Sequence, residues 1–291
     1  MNATFLLYGA YGFVGEPIAR RAVEMGLQPV LAGRDGQQVE RLAAELGLPY
    51  HVFSLDDTAA LERALNEVPV VLHCAGPYLH TAKPVVDACL RTGTHYLDLT
   101  GEIPVYQAIA ARDGEARERG VMLLPAVGFD VAPTDCLALH LKQRLPTATH
   151  LTLAFQARGS AGLPPGTQRT AIELFRFGDR VRRGGALVRP ARPGATRHVD
   201  FGRGPVEVTL FTWGDVFTAY YSTGIPNIEV YTVIPPVLRR VMGAARLARP
   251  LFRVRVVREL AKRLVRPGST GEARARATTH VWGEVTDAAG T

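Results

Sequence analysis

Cysteine is scarce in this 291-residue chain. Cys74, Cys89 and Cys136 are odd in number and far apart, which excludes a disulfide framework. All three lie in apolar surroundings and are expected to be buried, reduced thiols of a cytoplasmic protein. Long apolar runs are missing as well: none reaches the roughly 18 residues of a membrane span. The N-terminus enters a strand pattern without the charged leader and apolar core of a signal peptide. The eight histidines show no His/Cys spacing suited to a metal ion. The three lysines, Lys83, Lys142 and Lys262, are preceded at four residues by Leu79, Ala138 and Arg258. A Tyr-x-x-x-Lys dyad is thereby excluded. The Gly-x-Ser-x-Gly nucleophile turn is absent too.

The composition that remains is that of a soluble globular chain, 47% hydrophobic and 21% charged. Its length suits two domains, each with its own core. The net charge of +7 is a local property. Between positions 235 and 277 stand twelve Arg and Lys against Glu259 and Glu272 only. That segment therefore carries +10 and the remainder −3.

The most informative stretch is Gly9-Ala10-Tyr11-Gly12-Phe13-Val14-Gly15, directly after an apolar run at 4–8. A strand leaving a parallel sheet must turn sharply into a helix, and Gly9 permits the turn. Gly12 removes a Cβ where a pyrophosphate must approach the backbone, and Gly15 allows close packing of helix on strand. The pyrophosphate would rest on the amides and positive dipole end of that helix. The spacing is GxxGxxG rather than GxGxxG, accepted because strand, helix and second strand surround it. The helix pattern covers 13–25, tolerates Pro17 in its first turn and stops at Gly26. The second apolar run, 29–33, ends on Arg34. An NAD site places an acid at this point for the ribose 2′-hydroxyl, and an NADP site a cation for the 2′-phosphate. Asp35 lies one residue past the usual position. Arg34, with its planar fork, points to NADP in preference to NAD.

Strand patterns at 5–8, 29–32, 50–54, 70–74, 96–99 and 122–126 alternate with helical patterns at 13–25, 37–46, 58–67, 82–92, 105–119 and 134–145. Asp57 is placed to cap the third helix, and Pro133 suits the first turn of the last. Such alternation predicts an α/β fold: a Rossmann-type, doubly wound parallel sheet with ligands at the carboxyl ends of its strands. The boundary is expected after residue 133, with a second, α+β domain over 134–291. There, strands are predicted at 151–157, 206–212, 228–233 and 280–285, and a loop at 160–168. Asp287-Ala288-Ala289-Gly290 reads as a hairpin turn that calls for a returning strand, so the fold is expected to continue past Thr291.

Three further segments carry candidate chemistry. His73-Cys74-Ala75-Gly76-Pro77-Tyr78 ends the fourth strand; Ala75, Gly76 and Pro77 are expected beside the nicotinamide end, with Tyr78 following. Asp98 and Glu102 emerge after the fifth strand. A carboxylate there could orient a substrate or move a proton, or serve as a turn anchor (Asp98) and helix cap (Glu102). Asp130, in the connection to the second domain, is read as a cap or a cleft residue. Thr167, Thr170 and Glu173, the segment 213–215 and the segment 222–227 either line a substrate pocket or build strands and turns. Residues 237–266 interleave arginines with Leu, Val, Ala and Phe. Such a stretch fits an anionic membrane surface, an acidic partner or simply a solvated helix face. No nucleic-acid module accompanies it.

The motifs GAYGFVG, LAGR, CAGPYLHTAKPVVDAC, GTHYLDLTGE and VGFDVAPTD, with GTQRTAIE and TWGDVFTAYYSTGIPNIEVY further on, together resemble the saccharopine dehydrogenase-like oxidoreductases. Within them, the chain resembles the short, trans-acting enoyl reductase type. The resemblance implies an NAD(P)-binding Rossmann domain followed by an α+β domain for substrate or dimerisation. It implies cofactor contacts from Gly9, Gly12, Phe13, Val14 and Arg34, with Ala75, Gly76 and Pro77 near the nicotinamide. Members usually continue after the Gly-Glu-Val strand. Three functions remain open: hydride transfer to an enoyl or acyl substrate, small, carrier-linked or lipid-linked; reduction of an imine, as in the saccharopine branch; and non-catalytic NADP binding with docking through the basic stretch. A homodimer is compatible with each.

Overall fold

Six short strands from the first 130 residues share one sheet: β1 (Leu6–Tyr8), β2 (Val30–Gly33), β3 (Tyr50–Val52), β4 (Val70–His73), β5 (His95–Asp98) and β6 (Leu123–Leu124). Their order is β3-β2-β1-β4-β5-β6 and every pairing is parallel. That is the doubly wound order, whose direction of winding reverses between β1 and β4; the crevice at that switch point is where such sheets bind ligands. Helices α1 (Gly15–Glu24), α2 (Gly36–Leu46), α3 (Thr58–Leu65), α4 (Tyr78–Thr92), α5 (Ile103–Ala110) and α6 (Asp113–Glu118) connect the strands. The computed structural model describes residues 5–159, 165–265 and 277–290 and divides into two units, Met1–Asp130 and Val131–Thr291.

Strand alternation builds the first unit's core. Leu6, Tyr8, Val30 and Ala32 join one buried cluster with Leu61 of α3 and Val85, Val86 and Cys89 of α4. Leu7 and Leu31 face the other way, against Ala19 of α1 and Val39, Leu42 and Ala43 of α2. Both faces of the sheet are thus covered, which is why its strands read as continuous apolar runs. Asp57 caps α3 by accepting a bond from the Ala60 amide at 2.9 Å.

Some boundaries differ from the sequence expectation, for identifiable reasons. α4 starts at Tyr78, four residues earlier than expected, and carries Pro84 inside it. The span 105–119 is two helices: at Arg112 the chain leaves helical geometry, and its guanidinium bonds Asp87 of α4 at 2.6 Å and Glu115 at 2.7 Å. β6 is two residues long because Ala126 turns into the left-handed region, at φ +64°. Cys89 is buried as expected, but Cys74 is only partly covered and Cys136 is exposed.

The second unit is a mixed seven-stranded sheet. Its strands are β7 (His150–Arg158), β8 (Val181–Arg183), β9 (Ala186–Val188), β10 (Thr196–Asp200), β11 (Pro205–Leu210), β12 (Asn227–Thr232) and β13 (Thr278–Thr286). The order is β10-β11-β12-β7-β13, with the β8–β9 hairpin attached to β12. β12 and β7 run parallel, and the other pairs are antiparallel. The helices are α7 (Ala132–Arg144), α8 (Pro165–Leu174), α9 (Asp215–Thr223), α10 (Pro236–Ala245) and α11 (Arg255–Lys262). Residues 165–168, expected in a loop, form the start of α8; positions 160–164 of that expectation lie outside the described residues. The Asp287 turn forms, with the Gly290 amide donating to the Asp287 carbonyl; residue 291, where a return would begin, is outside them too.

Candidate functional site

The glycine turn is held by the strand beside it. The amides of Gly9 and Ala10 both donate to the Ala32 carbonyl of β2, at 2.8 and 3.2 Å. Gly9 sits at φ +84°, a conformation L side chains rarely adopt. A Cβ on Gly15, the first residue of α1, would lie 2.2 Å from the Gly9 carbonyl oxygen. The sequence reading placed Gly15 against the strand; it packs against the turn itself, and so brings the helix N-terminus onto the loop. Helix amides without an i−4 carbonyl, aimed with the dipole at one spot, make an anion site. Residues Gly9 to Gly15 therefore fit a pyrophosphate.

At the end of β2 the two neighbouring charges have different employment. Asp35 is the N-cap of α2: one carboxylate oxygen accepts from the Gln38 amide at 3.2 Å, the other from the Gln38 side-chain amide at 2.6 Å. These bonds hold its pKa below the usual carboxylate value. Arg34 is exposed beside it. The Tyr11 ring lies over Gly33, where a Cβ would come within 2.5 Å of a ring carbon. A cation is thus open to solvent just past the end of β2, while the adjacent acid is committed to a helix cap.

The second loop meets the first. A Cβ on Gly9 would stand 3.0 Å from Ala75, and the Cys74 amide donates to the Tyr8 carbonyl at 2.8 Å. The Gly76–Pro77 peptide is cis. The Thr81 hydroxyl gives its proton to the Ala75 carbonyl at 2.7 Å and lies 3.2 Å from that of Pro77, so it fastens the loop. His73 Nε2 stands 3.0 Å from the same hydroxyl oxygen. With the hydroxyl proton committed, Nε2–H must be the donor in that pair. His73 is fully buried, and its ring contacts those of Tyr8, Tyr78 and Tyr96. Burial lowers its pKa to about 3, so the ring is neutral at physiological pH. No local signal announces the Thr81 latch beyond its spacing from Pro77.

Residues 5–124 match the family of the saccharopine dehydrogenase NADP binding domain. That match lies within the first unit. The domain this family describes is an NADP-binding one. Among curated proteins, the chain is 34% identical over 148 residues to the trans-acting enoyl reductase of Mycobacterium leprae (strain TN), covering 48% of this chain and 35% of that protein. It is 30% identical over 200 residues to the saccharopine dehydrogenase-like oxidoreductase of Mus musculus, covering 60% and 46%. The chain spans less than half the length of these relatives. Among solved structures, the apo saccharopine dehydrogenase (L-Glu forming) of Saccharomyces cerevisiae aligns with a TM-score of 0.58 and 16% identity over 79% of this chain and 54% of that one, which shows a shared fold.

Within the first unit, the two carboxylates expected at the β5 end are turned inward. Glu102 is fully buried and accepts from the Tyr78 and Leu79 amides at 2.9 and 2.7 Å, so it caps the N-terminus of α4 from 24 residues away. Asp98, also fully buried, accepts from the Tyr96 hydroxyl at 2.7 Å, the Thr100 amide at 3.0 Å and the Ala126 amide at 2.9 Å. It ties β5 to the end of β6 and holds Ala126 in its left-handed conformation. Burial raises its pKa, against these bonds. Tyr78 is partly covered, and its hydroxyl donates to the His73 carbonyl at 3.3 Å. Burial, first among several causes, pushes its pKa well above 10, so the phenol keeps its proton. Tyr78 is thus brought to the loop of Ala75 to Pro77, whereas Asp98 and Glu102 present no oxygen to solvent. Asp130 lies beside Gly101 at the end of the unit.

In the second unit, the segments flagged for a pocket are largely framework. Trp213 packs on Phe155 and Phe211, Asp215 is buried at the start of α9, and Ser222 bonds Asp135. The Asn227 side chain bridges the Thr149 carbonyl and the Gly184 amide. Thr167, Thr170 and Glu173 lie on α8. Among the described residues, no cluster of His, Cys, Asp and Glu could hold a metal ion, and no helix is long and apolar enough to cross a membrane.

Proposed function

We propose that the chain is part of an NADPH-dependent oxidoreductase that reduces an enoyl or related acyl substrate, carrier- or lipid-linked. The observation that carries this reading is the charge arrangement at the two loops. Arg34 offers an open cation for a 2′-phosphate. At the Ala75–Pro77 loop, in contrast, His73 lacks its second proton, Tyr78 keeps its own, and Asp98 and Glu102 are withdrawn into the scaffold.

In this proposal Gly9 to Gly15 hold the pyrophosphate, Arg34 the 2′-phosphate, and Ala75, Gly76 and Pro77 flank the nicotinamide. NADPH, when bound, supplies the hydride. Reduction of a C=C bond also needs a proton, and we assign that role to Tyr78, whose phenol at the loop keeps its proton at neutral pH. Thr81 and His73 fix the loop, Glu102 fixes the start of α4, and Asp98 fixes the strand ends. The enoyl reading draws support from the similarity to trans-acting enoyl reductase.

The saccharopine-type imine reading draws support from the saccharopine dehydrogenase-like relatives. It would place a cationic nitrogen at this loop, where an exposed carboxylate would be wanted, and so we rank it second. The test is NADPH consumption by the purified chain with an enoyl thioester and, separately, with a cyclic imine. The expected result is consumption with the thioester that Tyr78→Phe abolishes. Consumption with the imine alone would overturn the substrate class. NADPH binding without consumption of either would favour the non-catalytic reading.

A further inference from the structure

The segment 236–264 is turned inside out. In α11 two of the three cations point inward: Arg258 is buried and Lys262 largely so, 2.9 and 2.6 Å from the carboxylate of Glu173 on α8. Arg258 also donates to the carbonyls of Phe252 and Arg253. The opposite face of α11 carries Val256 and Leu260, one turn apart, and Leu264 continues the same stripe beyond its end. All three are exposed, Leu264 by 81%. α10 and the turn after it repeat the pattern. Arg239 pairs with Glu207, and Arg246 and Arg249 pair with Asp179. Val237, Leu238, Val241, Leu247 and Leu251 stand in solvent, Leu247 by 86%. A surface helix ordinarily buries its apolar stripe and exposes its charges; here the acids of the sheet domain draw the charges in and push the aliphatic side chains out.

The exposed side also carries charge of one sign. Arg240, Arg253, Arg255 and Arg263 are exposed and pair with no carboxylate among the described residues. The only acid in the segment, Glu259, is bonded to Lys262 at 2.8 Å. A second copy of the chain would bring a like-charged face, which argues against a dimer here. The exposed apolar side chains are Leu and Val, residues under-represented among protein-interface hot spots. Aliphatic side chains ringed by arginines suit the boundary of an anionic bilayer, where the chains enter the acyl region and the guanidinium groups meet phosphates. We propose that residues 236–264 form a docking surface for an anionic lipid membrane, entered by Val237, Val241, Leu247, Leu251, Leu260 and Leu264. This proposal stands independently of the oxidoreductase reading, and it would place the second unit at a lipid surface.

The test is co-sedimentation of the full chain with vesicles of phosphatidylcholine alone and of phosphatidylcholine with phosphatidylglycerol, at low and high salt. Sedimentation with the anionic vesicles, weakened by salt and reduced at least tenfold in apparent affinity by Leu247→Glu with Leu264→Glu, is expected. Both leucines are exposed, so the fold tolerates the change, and an unaltered tryptophan spectrum of the variant checks it. Arg240→Gln with Arg255→Gln should also weaken binding while leaving the aliphatic face intact. Failure to sediment with either vesicle overturns the proposal. So does binding that the leucine variant leaves unchanged, because that would be adsorption by charge alone. Capture by polyaspartate but not by anionic vesicles would assign the surface to an acidic protein instead.

Discussion

Each unit buries a glutamate, and the two are satisfied in different ways. Glu102 in the first unit is held by backbone amides at the start of α4. Glu173 in the second is held by the side-chain cations of Arg258 and Lys262. A carboxylate withdrawn from water must recover its lost hydration by one route or the other. The first route spends the charge on the backbone and sets the geometry of a loop, which is what a cofactor site requires. The second ties one surface helix to another through side chains and decides which face of α11 is left outside. A buried acid therefore positions a loop in the first unit and an exterior surface in the second.

The largest effect that could break this comparison is expected from Glu173→Ala. It leaves Arg258 buried without its partner, and loss of one member of a buried ion pair costs about 3–5 kcal/mol. Both tryptophans, Trp213 and Trp282, lie in the second unit, so their fluorescence in a urea titration reads that unit separately. An unchanged midpoint would mean that α11 is not held by this cluster. Glu102→Ala should destabilise the first unit by about 2–3 kcal/mol, the range for a hydrogen-bonded charge with its donors left unsatisfied. Far-UV circular dichroism should show this loss while the tryptophan signal keeps its midpoint; a shift in the tryptophan transition alone would reverse the assignment.

His73 supplies a pH test of the first unit. Its folded pKa is lowered to about 3 by burial, while the unfolded ring titrates near 6.5. The unfolded state therefore binds more protons below pH ~6.5, and stability falls as pH decreases, by about 1.4 kcal/mol per unit down to pH ~3. At pH 5 the loss from this group should be about 2 kcal/mol. His73→Asn should flatten that part of the profile; an unaltered slope would mean that other groups govern it. The smallest effect is expected at Ala126. An L residue in the left-handed region costs roughly 1–2 kcal/mol, part of which Ala126→Gly should recover, offset by the added freedom of the unfolded chain. A thermal melt should show a neutral or slightly raised midpoint, and a clear decrease would mean that the methyl group is needed for packing.

The parts that could be read from the sequence were those fixed by neighbours in the chain. The turn from Gly9 to Gly15, the strand before it and the strand ending at Arg34 lie within a residue or two of their expected places, because glycine spacing and apolar runs are local signals. Asp57 caps α3 by a bond to the amide three residues on, again a short-range signal; the same role of Asp35 for α2 was not read from the sequence. What was not legible depended on distant partners. Nothing near Tyr78 announces a helix start, since its cap, Glu102, arrives from another strand. Asp98 ends β5 and Glu102 follows it, near where they were expected, but side-chain direction is set by Ala126, Tyr78 and Leu79, far along the chain. The hairpin of β8 and β9 had no strong pattern of its own. The inverted face of α11 follows from Glu173, some 90 residues upstream, whereas its composition alone reads as an ordinary basic helix.

The central claim is that Arg34 selects NADP while Asp35 is committed to capping α2. Its most direct test is the thermal shift of the chain with NADPH and with NADH, in the unaltered protein and in Arg34→Ala. A ligand at 100 times its Kd adds about 2.7 kcal/mol of stability. Loss of a charge-assisted phosphate contact worth about 1.5–3 kcal/mol should weaken NADPH binding roughly 10- to 150-fold. The account predicts a larger shift with NADPH than with NADH, and near-equal shifts after Arg34→Ala. Equal shifts in the unaltered chain, or a preference for NADPH that survives the substitution, would contradict it.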